Sequence, residues 1–107
     1  MADRILKVGY GDQAVFARDT LTVSTTAIGL DEGDYDPTSG RPAYCAMIEN
    51  VGGQAIRYRV GADPAAGAGH KLADGEVLYV HGADNIRALR VIRDTGSDAT
   101  LEISYLR

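Results

Sequence analysis

Four acids crowd into the stretch DEGDYDP: Asp31, Glu32, Asp34 and Asp36. Carboxylates this close on a loop are hard oxygen donors, and the ion they would suit is calcium. The order of an EF-hand loop is missing, because Gly33 falls too early and no glutamate stands at the closing position. A solvated acidic loop or a charged docking surface is therefore the favoured reading, with no metal expected. His70, His81 and Cys45 supply the chain's imidazoles and its one thiol, and three scattered residues make no zinc signature. Cys45 lies in an apolar run, which points to a buried, inert thiol, and a single cysteine forms no disulfide within the chain. Neither Ser97 beside Asp98 nor Ser24 beside Thr25 and Thr26 has a histidine in a recognisable motif, so no catalytic residues and no cofactor are expected. The glycine pairs Gly9/Gly11 and Gly67/Gly69 lack the helix and the lysine of a phosphate loop and read as turns.

Arginines recur at Arg57 and Arg59 and again at Arg87, Arg90 and Arg93. On two strands they would form a face paired with cross-strand acids such as Glu49, Glu76 and Glu102, or an interface in which the guanidinium fork meets a partner's carboxylates. Tyr44, Tyr58, Tyr79 and Tyr105 could make a sugar-binding platform, although core parity favours packing for most of them.

The elements that hold these residues read as strands. Residues 44–60, YCAMIENVGGQAIRYRV, are two β-rich runs broken at Gly52 and Gly53, which predicts a β-hairpin. Within the second run Ile56, Tyr58 and Val60 share one face and Arg57 and Arg59 the other. Residues 20–30 alternate as a half-exposed strand, residues 31–42 form a long acidic loop, and residues 61–69, GADPAAGAG, form a second loop. Residues 70–72 lead to a turn at 73–75. Further strands are expected at 76–81, 86–93 and 100–106, separated by turns at 82–85 and 94–98, with Leu101, Ile103 and Tyr105 inward. No amphipathic helix is evident. The fold class is all-β, an antiparallel sandwich of six to eight strands, with a jelly roll among the arrangements that fit.

The chain has 107 residues, enough for one domain, read as an N-terminal arm or first strand over 1–19 and a single sandwich over 20–107. The net charge is −4, and residues 1–56 carry eight acids against four bases while residues 57–107 carry seven of each. That balance argues against a nucleic-acid partner, and no stretch is apolar for a membrane-spanning length. Without an apolar leader, the chain is expected to remain in the cytoplasm that makes it unless it leaves inside a larger assembly.

Residues 54–72, QAIRYRVGADPAAGAGHKL, join an Arg-Tyr-Arg strand to a Gly and Pro loop and then to Gly-His and an apolar residue. In this the chain resembles a group of small tailed-bacteriophage virion proteins, most sharply at Arg57, Tyr58, Arg59, Pro64, Gly69 and His70. The resemblance extends loosely over residues 20–107, with Gly61-Ala62 before Asp63 where an Asp-Gly turn is the pattern. It implies a non-enzymatic structural protein of the virion, foremost a capsid decoration or cement protein that binds major capsid subunits, with a tail or head-to-tail connector subunit as the alternative. A carbohydrate-binding module is the reading from another class. Partners would be the major capsid protein or other virion subunits and further copies of the chain, a trimer fitting threefold points of a shell. The expected interaction surface is Asp31, Glu32, Asp34, Asp36, Arg57, Arg59, Asp63, Pro64 and His70, on loops that a rigid sandwich presents.

Overall fold

The computed structural model describes residues 14–107. Eight strands alternate with two short helices: β1 Val15–Val23, β2 Ile28–Gly29, α1 Glu32–Tyr35, β3 Cys45–Asn50, β4 Ile56–Val60, β5 His70–Leu72, β6 Val77–His81, α2 Ala83–Ala88, β7 Leu89–Arg93 and β8 Ala99–Leu106. They form two four-stranded antiparallel sheets in the orders β1-β8-β3-β6 and β2-β7-β4-β5. The first strand pairs with the last, the second with the seventh, the third with the sixth and the fourth with the fifth. That is one long antiparallel hairpin rolled up so that β8 also meets β3 and β7 also meets β4, a jelly roll.

Alternation supplies the core. On β8, Leu101, Ile103 and Tyr105 are buried while Glu102 is exposed, as period two requires. Val23 of β1, Ile48 of β3, Ile56 of β4 and Leu89 and Val91 of β7 meet them between the sheets, with Ile86 of α2 added at one end. Cys45 is buried, and that burial raises its thiol pKa.

Four expectations are corrected. The 44–60 segment contains two strands but not a hairpin: β3 lies in one sheet and β4 in the other. Asn50 turns the chain across, its buried amide donating to the Gln54 carbonyl at 2.6 Å and the Leu72 carbonyl at 3.1 Å while accepting from the Gly52 amide at 3.2 Å. These bonds satisfy the polar groups of a connection between layers, which a two-strand ladder would otherwise occupy. The acidic loop contains α1, capped by Asp31, whose carboxylate accepts from the Gly33 amide at 3.0 Å. Residues 86–88 belong to α2 and β7 begins at Leu89, because Gly82, at φ +94°, opens a helical turn before the strand. Lastly, residues 20–30 are not one strand: β1 ends at Val23 in one sheet and β2 lies in the other, while β1 starts at Val15, within the expected arm or first strand, and residues 1–13 lie outside the described residues.

Candidate functional site

The expected interaction residues fall into two groups set by different elements. The first surrounds the turn of the rolled hairpin, the β4–β5 loop, on the outer face of the second sheet. Register places Arg57 between Lys71 of β5 and Ile92 of β7, and Arg59 opposite Arg90. Arg57 donates to Asp94 at 3.0 Å and to the Gly69 carbonyl at 3.2 Å, and the Gly67 amide donates to the same Asp94 oxygen at 2.9 Å. The Arg57 hydrogen bond first, and the Gly67 amide second, hold the Asp94 carboxyl below its usual pKa. Arg90 binds Asp63 at 2.8 Å and the Ala27 carbonyl at 3.0 Å, tying the loop to the lead-in of β2. Pro64 is buried rather than presented, packed where Gly69, at φ +113°, brings the backbone close. His70 is exposed, its ring 5.3 Å from that of Tyr58. Arg59 is exposed and has no hydrogen bond or ion pair among the described residues.

The partners expected for the arginines are replaced. Arg93 pairs with Asp98 at 2.9 Å, and Arg87, on α2 rather than a strand, pairs with Asp84 at 3.1 Å and Asp36 at 3.6 Å. Aspartates of loops and of the short helices' ends thus do what Glu49, Glu76 and Glu102 were expected to do. Glu49 and Glu102 belong to the other sheet, where they face each other across β3 and β8; Glu102 accepts from the Thr20 hydroxyl at 2.9 Å, and Glu76 accepts from the Ala73 amide at 2.6 Å.

The second group is α1. Glu32 is exposed and Asp36 turns to Arg87, whereas Asp31 and Asp34 meet a residue the sequence reading passed over, Asp19 of β1. Each of the three offers a carboxylate oxygen, and these oxygens lie within 4.8 Å of one another. Burial first, then the Asp19 and Asp31 carboxylates and a hydrogen-bond contact with Asp19, raise the Asp34 pKa. The alternation Ala17, Asp19, Leu21, Val23 was the available signal: it puts Asp19 on the core-facing side of its strand. Tyr105 stands on that side too, wholly buried, with its ring 6.3 Å from Tyr35 of α1 and its hydroxyl without a hydrogen-bond partner. Its phenol pKa is raised, chiefly by burial and then by Asp19, Asp34 and Asp31.

The tyrosines divide in a way parity did not indicate. Tyr105 is in the core and Tyr58 packs against it, but Tyr44 and Tyr79 are 63% and 43% exposed. Tyr79 stacks with His81 at 6.4 Å on β6, an edge strand among the described residues. His81 and His70 stand on different sheets. Comparison of the chain with protein-family models, with curated proteins and with solved structures returned no match.

Proposed function

We propose that this protein is a non-enzymatic structural subunit of a tailed-bacteriophage virion, a decoration or cement protein that binds major capsid subunits and reinforces the shell. The observation that carries the reading is the rolled-hairpin topology, an arrangement that viral capsid domains use, taken with the Arg-Tyr-Arg and Gly-His segments at the turn of the roll. Fold is a poor guide to function without a site, and here the site is a surface. Arg57, Arg59, Asp63 and His70 surround one loop, where intramolecular ion pairs hold Arg57 and Asp63 rigid and leave the Arg59 guanidinium open to a partner's carboxylates. A standard interface of about 1,600 Å² in total would tie neighbouring capsid subunits without chemistry, and repetition over the shell adds avidity. Self-association as a trimer suits threefold positions of such a shell.

The test is co-sedimentation of the purified protein with empty heads that lack it. Saturable pelleting at micromolar concentration is expected, weakened about tenfold in Arg59→Glu and by added salt. No pelleting with heads would overturn the capsid reading, and pelleting with tails instead would assign the protein to the tail. Exposure of Tyr44 and Tyr79 favours one second reading, a carbohydrate-binding surface. Sugar titration signals lost in Tyr79→Ala would mark it.

A further inference from the structure

Asp19 distinguishes the α1 cluster from a solvated acidic loop. It is half-buried on the core-facing side of β1, in line with Ala17, Leu21 and Val23, and diagonal to Tyr105 across the β1–β8 pair. α1 packs against β1 and brings Asp31 and Asp34 to it, so that three like charges converge from two separate segments. Tyr105 lies on that same side of the β1–β8 pair, its ring 6.3 Å from that of Tyr35 on α1 and its hydroxyl fully buried and unpartnered. Burial first, and then the Asp19, Asp34 and Asp31 carboxylates, raise its pKa. A buried hydroxyl with no partner is uncommon in folded proteins and calls for a physical explanation. So do converging carboxylates with no arginine or lysine paired to them among the described residues: Arg18, their neighbour in sequence, lies on the opposite face of β1, and Arg87 turns to Asp36 and Asp84. A single hard cation relieves both at once, because it neutralises the carboxylates and takes oxygen ligands from hydroxyl and water.

We propose that Asp19, Asp31 and Asp34 coordinate one calcium ion, with the Tyr105 hydroxyl completing the inner side of its shell, and that the ion clamps α1 onto β1. Calcium suits the arrangement better than magnesium. A calcium shell at about 2.4 Å accepts irregular donors from different segments, whereas magnesium needs a near-ideal octahedron at about 2.0–2.1 Å. Asp31 accepts the Gly33 amide with one oxygen and retains the other for the ion. The inference stands apart from the virion reading, since a folded protein in solution suffices to examine it.

The experiment uses the purified chain stripped with chelator. Calcium added in graded amounts raises the melting temperature saturably, and magnesium does so only at much higher concentration. Terbium, a luminescent substitute for calcium, gives tyrosine-sensitised emission that calcium displaces. Asp19→Asn removes the melting shift and the terbium signal while raising the melting temperature of the stripped protein, because it deletes a repulsion. Tyr105→Phe keeps the fold, deletes an unpartnered hydroxyl and weakens calcium about tenfold. Absence of both calcium-dependent stabilisation and terbium emission in the native chain overturns the proposal, as does a calcium response that survives in Asp19→Asn. If Asp19→Asn does not fold, Asp34→Asn carries the same comparison. An equal response to magnesium overturns the choice of ion.

Discussion

Asp94 ties the presented loop to the second sheet, receiving the Arg57 guanidinium from β4 and the Gly67 amide from the loop beyond it. Because those donors favour the ionised form, the folded carboxyl titrates below the 3.8 of a free aspartate. The sign of the linkage follows: the stabilisation is present above the unfolded value and is lost as pH falls through the folded one. Asp94→Asn is therefore expected to lower the urea midpoint at neutral pH, and the gap from the native chain should close below pH 3.8. A gap that persists in acid would mean the carboxylate's charge is not what holds the loop. Individual residues were unevenly legible in the sequence. Cys45 could be read because an isolated thiol in an apolar run has one plausible place. Asp19 could not, because it falls in the segment read as an arm or a first strand, and its parity is fixed only by a strand that begins at Val15 and puts it on the side of Tyr105.

Strands were easier to find than their partners. The same alternation that marks β3 and β4 fits a hairpin and a crossing between sheets equally well, and what decides between them is the short link at 51–55. Gly52 in that link presses against β8, where a Cβ would overlap the Thr100 amide nitrogen and crowd the Ala99 backbone. The glycine is thus required for space and not for its dihedral angle, whereas Gly53, at φ +79°, has open room beside it. Gly52→Ala is expected to destabilise by about 3 kcal/mol, the upper range of overpacking, and Gly53→Ala by about 1–2 kcal/mol from its left-handed backbone. Chemical denaturation of the two variants measures the order, and a Gly52→Ala variant as stable as the native chain would show that β8 does not lie against this link. The helices were not legible for a related reason: α1 has four residues and α2 six, too short to display a repeat of their own, so capping and tertiary contact define them.

Across the whole molecule the architecture joins residues far apart in sequence, Val23 with Ala99 and Ile48 with Ile103 among them. Loops of that length must close before the contacts that reward them form, which slows folding. Refolding from urea is expected on the millisecond-to-second scale of sandwiches. Stopped-flow relaxation within microseconds would contradict the long-range pairing. A composition rich in strand formers and turns was sufficient for the class, but the rolled order depends on which edges meet, and that is a property of the assembled layers. The pairing of β1 with β8 reaches its limit at Ala14 and Arg107, whose amides and carbonyls exchange two hydrogen bonds of 3.2 Å, while the Arg107 guanidinium covers the Phe16 ring at 4.1 Å. Ala14 and Arg107 therefore stand side by side at one corner of the sandwich, so a pair of spin labels placed on them would couple at short range and report any unzipping of that end.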